Sequence, residues 1–338
     1  MAAFSPSRRA LLLAAPALLA SRPGGARPPG LEAAFARAAA LEPMRSMIVA
    51  RNGETLWEER FRGPPLEQPV NVKSVSKAVI AALAGIAIGR GVLAGVEQPV
   101  APLLRDRLPP APDPRLGRVT IGDLLSMRAG LERTSGAYYG RWVSSPDWVR
   151  AALARPFVAE PGGPMLYSTG NSHLLSAILT RAAGRSTLAL ARDWLGGPLG
   201  IEIPPWPRDP QGIYFGGNDM LLSPRALLRF GELHRQGGAW NGTRILPEGW
   251  VEACWAPRTA SVFTGDAYGY GWFTRGGGPA LRHYAWGYGG QMVHILPALG
   301  ATVVMTSDAA APREASRGQA RALHGLLEET LLPALLAG

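Results

Sequence analysis

The chain has 338 residues, of which 47% are hydrophobic and 18% charged, and its formal net charge is +10 at pH 7. These values are typical of a globular protein with a large core and exclude an intrinsically disordered chain. The arginines that carry the charge are spread singly, without a basic run or a basic–aromatic stripe, so nucleic-acid binding is not expected.

Residues 1–26 predict an export signal. Arg8 and Arg9 precede a short apolar run at residues 11–20, and small residues follow it. This order is typical of a secretory signal peptide, and the paired arginines favour the twin-arginine route. The run is too short for a permanent membrane span, although an uncleaved anchor is the alternative. We therefore expect an exported protein, periplasmic or secreted, without a stable span after signal removal.

The rest of the chain predicts strands near both ends and helices between them. An alanine-rich helix at residues 31–41 is followed by a hairpin around Asn52-Gly53, a dipeptide typical of a type I′ turn. Capping and periodicity predict further helices at residues 74–90, 120–127, 146–156, 172–184, 223–237 and 314–332. Apolar alternation predicts strands at residues 268–274, 289–297 and 301–307.

This order of elements indicates the fold class. The βαβ alternation of a doubly wound sheet is missing. The simplest closure puts the first hairpin beside the last strands in one antiparallel sheet, flanked by the terminal helices. We predict an α/β protein of the α+β type, with one domain over residues 31–338. Its sheet lobe comprises residues 31–70 and 260–338, and its helical lobe residues 71–259.

The two lysines of the chain lie in one short stretch. Lys73 and Lys77 accompany 33 arginines, and lysine differs from arginine because a buried ammonium group can lose its proton. Lys77 follows Ser74 by three residues, so the two share a helix face near the free N–H groups of the first turn. The pair can supply a nucleophile and its base. The alternative is an N-capping serine with a solvent-facing lysine, and we interpret Lys73 as a flanking residue.

Five stretches, taken in order, resemble the serine β-lactamase and penicillin-binding-protein superfamily. The likeness is to its class C β-lactamase branch, with esterase, peptidase and aminohexanoate-dimer hydrolase relatives, and it runs from about residue 45 to residue 332. The stretches are "NVKSVSK", "VTIGDLLSMRAGL", "MLYSTGNSHLLSAILTRAAG", "GGNDMLLSPRALLRFGELHRQGGAWNGTRILPEGWV" and "WGYGGQ".

The resemblance implies roles for individual residues. Ser74 takes the place of the family's nucleophile, Lys77 that of its partner, and Tyr167 that of the catalytic tyrosine. A phenol there can relay a proton if nearby cations lower its pKa, whereas a core tyrosine is the alternative. Where relatives often have Asn, this chain has Thr169. Asn171 is the candidate substitute, or else it caps the following helix.

The third motif departs from that of β-lactamases, which have Lys-Thr-Gly where this chain has Tyr288-Gly289-Gly290. By the resemblance, the backbone N–H of Gln291 joins that of Ser74 in an oxyanion hole. Trp286 either lines the pocket or packs. Without the third-motif lysine, uncharged substrates are expected to outperform anionic ones unless an arginine reaches in from elsewhere.

These observations predict a serine hydrolase that acts on ester or amide bonds of small acyl substrates. No cofactor is expected, and the histidines lack metal-site spacing such as H-x-x-H. A Ser-His-Asp hydrolase is disfavoured because a G-x-S-x-G elbow is missing. The alternative is a penicillin-recognising binding or sensor module of the same fold with weak or lost turnover. Loops at residues 132–145 and 204–222 are expected to determine the substrate.

Overall fold

A computed structural model describes residues 30–312, 314 and 318–337 of the chain. The predicted export signal, residues 1–26, lies outside the described residues. Within them, no helix is both long enough and apolar enough to cross a membrane.

One antiparallel sheet of eight strands forms the centre of the described residues, in the order β2-β1-β12-β11-β10-β9-β8-β7. Its strands are β1 (Met44–Arg51), β2 (Glu54–Arg60), β7 (Thr259–Ala260), β8 (Ala267–Tyr268), β9 (Phe273–Arg275), β10 (Arg282–Gly287), β11 (Gln291–Leu296) and β12 (Ala301–Ser307). Two-residue strands form two small sheets, namely β3 (Val70–Asn71) with β4 (Leu221–Leu222), and β5 (Ala239–Trp240) with β6 (Thr243–Arg244).

Helices cover both faces of the sheet and fill the middle of the chain. They are α1 (Leu31–Ala40), α2 (Ser76–Gly89), α3 (Ile121–Leu125), α4 (Tyr139–Val143), α5 (Trp148–Leu153), α6 (Thr169–Ala183), α7 (Thr187–Ala191), α8 (Gly197–Leu199), α9 (Pro224–Arg235), α10 (Trp250–Trp255), α11 (Gln319–Leu326) and α12 (Leu332–Ala337). A π-helical turn, Leu327–Leu331, joins α11 to α12.

The predicted closure of the sheet is confirmed. β1 pairs with β12, so that Val49 lies opposite Val303, and the hairpin to β2 turns at Asn52-Gly53 with φ of +51° and +87°. Both angles are positive, as a type I′ turn requires. The terminal helices cover one face of the sheet, where α1 shares an apolar core with α11 and the strands.

Helix α2 is the buried centre of the other apolar core. Its residues from Ser76 to Ala87 are all buried, and it packs against α6. A helix that is apolar all round has no solvent face to offer, so it lies inside the protein. α9 begins at Pro224 behind the N-cap Ser223, as predicted, and packs on β11 and β12.

The predicted strand at residues 268–274 is wrong as one unit. It is a hairpin of β8 and β9, turned at Gly271 with φ of +81°. A Cβ on Gly271 would lie 3.0 Å from Lys77 O, so the missing side chain lets this hairpin approach α2. β10 escaped prediction because its sequence, RHYAWG, lacks a clean polar–apolar alternation: five of its six residues are buried.

Candidate active site

Ser74 lies in a single 3-10 turn, Lys73–Val75, immediately before α2. Lys73 has a left-handed φ of +50°, and its N–H donates to Asn71 Oδ1 at 2.9 Å. Ser76 lies on the other side of the turn, where its Oγ donates to Lys73 O at 2.6 Å and accepts from Met220 N at 3.1 Å. Ser76 is fully buried and holds the turn, whereas Ser74 is half-buried.

Lys77 points at the nucleophile. Its Nζ lies 3.1 Å from Ser74 Oγ, 2.6 Å from Gly217 O and 3.4 Å from Thr169 Oγ1, and the residue is only 3% exposed. Burial lowers the pKa of Lys77 to about 7, although the Asp219 carboxylate opposes this shift. The solvent-facing lysine of the alternative interpretation is therefore wrong. A neutral amine in this position can accept the proton of Ser74 Oγ.

Tyr167, like Lys77, forms a hydrogen bond with Ser74. Burial raises the pKa of Tyr167 to about 12, against a hydrogen bond with Ser74 that lowers it. Its ring centroid lies 4.9 Å from Lys77 Nζ. The condition for a relay by a phenol of lowered pKa is therefore not met, because desolvation outweighs the hydrogen bond with Ser74. Tyr167 keeps its proton at neutral pH and can donate it.

Thr169 contacts the catalytic candidate Lys77, whereas Asn171 forms no hydrogen bond with the catalytic candidates within the described residues. Thr169 Oγ1 lies near Lys77 Nζ and 2.9 Å from Ser135 Oγ, so Thr169 belongs to the site. Asn171 is buried in the first turn of α6, and the N-cap of that helix is Ser168. The N-cap interpretation of Asn171 is wrong. Among the described residues, no hydrogen bond joins the Asn171 side chain to Ser74 or Lys77.

Gly287, the last residue of β10, lies where this strand packs against the turn that carries Ser74. A Cβ on Gly287 would lie 2.4 Å from Val72 O and 3.0 Å from Lys73 Cβ, so only glycine lets the strand approach the Ser74 turn this closely. Tyr288 follows at the surface and is 55% exposed.

The two glycines after Tyr288 face the end of β12 and the residues that follow it, not the Ser74 turn. Gly289 and Gly290 form a turn with φ of +79° and +101°, and a Cβ on Gly290 would lie 2.8 Å from Ser307 Oγ, beside α11. The Gln291 side chain is buried and donates to Ser307 O at 2.7 Å. The glycine of the third motif that meets the Ser74 turn is thus Gly287. The roles expected for Tyr288, Gly289, Gly290 and Gln291 in substrate binding stay predictions.

Trp286 packs. Its ring lies 6.1 Å from Phe273 and meets Phe263 edge-on at 6.0 Å. Phe263 in turn meets Tyr167 edge-on at 5.2 Å, so Trp286 supports the tyrosine through one aromatic neighbour. Of the two interpretations, the structure favours packing for Trp286.

The sequence analysis named the loop at residues 204–222 but missed its direct contacts with Lys73 and Lys77. Lys73 Nζ forms an ion pair with Asp219 Oδ1 at 2.9 Å, and Asn71 Nδ2 donates to the same oxygen at 2.8 Å. Lys73 is therefore not merely a flanking residue. Gly217 O, two residues earlier, accepts from Lys77. The available signal was "GGND" at residues 216–219, in which Asp219 adopts a φ of +60°.

A cleft of about 260 Å³ opens beside Tyr167. It is lined by Glu132, Arg133, Tyr138, Val158, Met165, Leu166, Tyr167 and Val262. Tyr167, which lines the cleft, also forms a hydrogen bond with Ser74, so the cleft can hold one end of a substrate. The predicted involvement of the loop at residues 132–145 agrees with this lining.

An antiparallel sheet with terminal helices on one face and a buried Ser-x-x-Lys helix on the other defines a β-lactamase/transpeptidase-like fold. A family model described as Beta-lactamase matches residues 36–326. The chain therefore belongs to the beta-lactamase family of hydrolases.

Several solved structures share the fold. EstCE1, described as a hydrolase with promiscuous acyltransferase activity, is 18% identical with a TM-score of 0.71, covering 90% of this chain and 97% of its own. A Bacillus anthracis protein described as a 6-aminohexanoate-dimer hydrolase is 18% identical with a TM-score of 0.71, covering 88% and 80%. A penicillin-binding-protein homologue from Caulobacter crescentus is 18% identical with a TM-score of 0.68, covering 90% and 99%.

A curated relative matches over a shorter stretch. It is the probable fimbrial assembly protein FimD, serogroup H1, of Dichelobacter nodosus, which is 30% identical over 151 residues. The match covers 42% of this chain and 37% of that protein.

Proposed function

We propose that this protein hydrolyses ester or amide bonds of small acyl substrates through an acyl-enzyme on Ser74. The observation that carries the proposal is the placement of Lys77 Nζ, 3.1 Å from Ser74 Oγ in a site where burial brings the pKa of Lys77 to about 7. A base with a pKa near neutrality is suited to removing a hydroxyl proton at physiological pH.

In the first half of the reaction, neutral Lys77 takes the proton of Ser74 Oγ while that oxygen forms a bond to the substrate carbonyl carbon. The Ser74 N–H and the N–H of Tyr288, which follows Gly287 at the edge of β10, are the proposed donors to the oxyanion. When the tetrahedral intermediate collapses, the bond to the leaving group breaks. Tyr167 donates its proton to that group and is reprotonated from the Lys77 ammonium.

In the second half, water attacks the acyl carbon and the same residues act in reverse. Tyr167 accepts the proton of the water as it passes its own proton to neutral Lys77. The acyl–Oγ bond then breaks, and the Lys77 ammonium returns a proton to Ser74 Oγ. Net hydrolysis consumes one water and restores every protein group. The structural neighbours described as a 6-aminohexanoate-dimer hydrolase and as a hydrolase with promiscuous acyltransferase activity support the choice of amide and ester substrates. The mechanism itself rests on the geometry of this chain.

Covalent labelling tests the proposal. A fluorophosphonate should label the purified protein, with the adduct on Ser74 by mass spectrometry, and Ser74→Ala should abolish both labelling and hydrolysis of p-nitrophenyl butyrate. A chromogenic cephalosporin measured beside the ester separates esterase from β-lactamase activity. Labelling without turnover of either substrate would instead indicate the binding or sensor module, and absence of any adduct would refute the nucleophile.

A further inference from the structure

Large apolar side chains that are exposed gather around the cleft. Of six such residues among the described part of the chain, Tyr138, Val158 and Val262 line the cleft and Phe263 packs on Tyr167, while Tyr288 follows Gly287 at the site edge. Exposed apolar side chains concentrated in one place mark a binding surface. The cleft is therefore suited to an aliphatic or aromatic segment of a substrate.

In the part of the chain that the structure describes, most charged side chains near the cleft are paired with an opposite charge, but one arginine is not. Glu132 forms an ion pair with Arg155, and Lys73 forms one with Asp219, so each of these charges is neutralised by its partner. Arg133 is exposed, and within the described ranges it makes no ion pair and no hydrogen bond. Arg133 is thus the uncompensated cation of this cleft.

The backbone next to Arg133 is fixed to the nucleophile's surroundings. Thr134 N donates to Ser168 Oγ at 3.0 Å, and Ser135 Oγ lies 2.9 Å from Thr169 Oγ1. Thr169 also lies near Lys77, as described above. These contacts hold the start of the Arg133 side chain on the wall of the cleft that Tyr167 also lines.

We propose that Arg133 binds a carboxylate on the substrate, so that the cleft selects compounds with a short apolar segment ending in an anion. A guanidinium can form two parallel hydrogen bonds with a carboxylate. This inference rests on the proposed function and reverses the neutral preference expected from the missing third-motif lysine, because Arg133 supplies a cation from a different segment. The anionic end can belong to the acyl group or to the leaving group.

Matched substrate pairs test the two positions. For the acyl side, the p-nitrophenyl monoester of glutaric acid is compared with p-nitrophenyl valerate, which has a methyl group in place of the carboxylate. For the leaving-group side, 4-(carboxymethyl)phenyl butyrate is compared with 4-ethylphenyl butyrate. Each pair is assayed with the full protein, with Arg133→Gln and with the control Arg105→Gln, since Arg105 is an exposed arginine outside the cleft.

In one of the two pairs, we expect kcat/KM to favour the anionic substrate by about tenfold, a size consistent with a charged hydrogen bond at a partly exposed site. Arg133→Gln should remove that preference, measured as the ratio of kcat/KM for the anionic and the neutral substrate, while Arg105→Gln should keep it. Raising the ionic strength should weaken the preference. A neutral preference in both pairs, or an anionic preference that survives Arg133→Gln, would overturn the proposal.

A second measurement needs no turnover and separates this inference from the proposed function. Free glutarate should slow fluorophosphonate labelling of Ser74 in the wild-type protein and in Arg105→Gln, but not in Arg133→Gln. If labelling occurs and glutarate has the same effect on all three proteins, the carboxylate site is wrong and the nucleophile stands. If Ser74 is never labelled and no ester is cleaved, both the proposed function and the inference that rests on it are wrong.

Discussion

Lys77 is expected to be irreplaceable by arginine. Burial lets the Lys77 amine release its proton near pH 7, whereas a guanidinium stays charged in any protein environment. We predict that Lys77→Arg and Lys77→Met both lower kcat/KM for p-nitrophenyl butyrate by about 10³-fold or more, as expected when one member of a cooperating set is removed. Circular dichroism should show that both variants fold. An arginine variant that keeps a tenth of the wild-type activity would contradict the assignment of Lys77 as the base.

The pH dependence of the reaction follows from the same group. The pKa of Lys77 is lowered from 10.5 to about 7, and only the neutral amine can act as a base. We predict that kcat/KM rises with pH through about 7 and then levels off. Tyr167, with a pKa raised to about 12, stays protonated and gives no falling limb below about pH 10. A profile of kcat/KM between pH 5 and 9 tests this, and a flat profile would rule out Lys77 as the titrating base.

Ser74 and Ser76 are expected to respond differently to removal. Ser76 Oγ makes two buried hydrogen bonds with the backbone, to Lys73 O and from Met220 N. Ser76→Ala should therefore lower the free energy of unfolding by about 1–2 kcal/mol and still be labelled. Ser74→Ala should keep its stability and lose the label. Denaturant unfolding with mass spectrometry of the adduct separates these outcomes, and a label lost only in Ser76→Ala would mean that the nucleophile is misassigned.

At the scale of elements, the contact between β10 and the Ser74 turn is the sharpest steric constraint of the site. A Cβ on Gly287 would lie 2.4 Å from Val72 O, a backbone atom that moves only with the whole turn. Gly287→Ala should therefore lower kcat/KM by about 100-fold, because small displacements of reacting groups are expensive. Gly277→Ala is the matched control, since a Cβ there meets nothing within 4 Å. Equal activity of the two variants would contradict this role of Gly287.

Sequence patterns predicted several local elements and the antiparallel closure of the sheet, but not the close approaches between individual residues of the site. The hairpin at Asn52-Gly53 and the helix that starts behind Ser223 follow from turn and capping chemistry that neighbouring residues supply. The sequence did not show which of Gly287, Gly289 and Gly290 meets the Ser74 turn, because the three glycines look alike in sequence. Only the approach of β10 to the Ser74 turn distinguishes them, and that contact depends on residues more than 200 positions apart.

The residues of the candidate site also divide into those that local sequence predicts and those that only the folded structure brings together. The Ser74–Lys77 pair could be predicted because three residues of helical spacing bring the two side chains together. The Lys73–Asp219 ion pair joins segments that carry no common periodic pattern. Arg133 is one arginine among 33, and its unpaired state depends on which acids already have partners. Both the Lys73–Asp219 ion pair and the unpaired state of Arg133 can be recognised only in the folded structure.

At the scale of the whole molecule, the buried histidines His234, His283, His294 and His324 should make the protein sensitive to acid. Burial lowers the pKa of His234, His283 and His324 from 6.5 to about 4 and that of His294 well below 6.5. The charges of Arg275 and Arg282 add to this shift at His294 and His324. In the structure, all four are therefore neutral at pH 7.

The sign of the effect follows from proton linkage. Below about pH 6.5 the unfolded chain binds protons that the folded protein excludes, so the free energy of unfolding falls as the pH drops from about 6.5 towards 4. Each histidine contributes at most about 1.4 kcal/mol per pH unit in that window. Above pH 6.5 this contribution is fully present. Urea unfolding at several pH values between 4.5 and 7.5 should show a steady loss of stability.

His294 offers the cleanest test, because it is fully buried in β11 and, within the described residues, neither of its ring nitrogens has a hydrogen-bond partner. His294→Leu replaces the ring with an apolar side chain that cannot bind a proton. We expect it to change stability little at pH 7.5 and to raise it by about 1–2 kcal/mol at pH 5 relative to wild type. Parallel pH dependences of the two proteins would show that His294 does not cause the acid sensitivity.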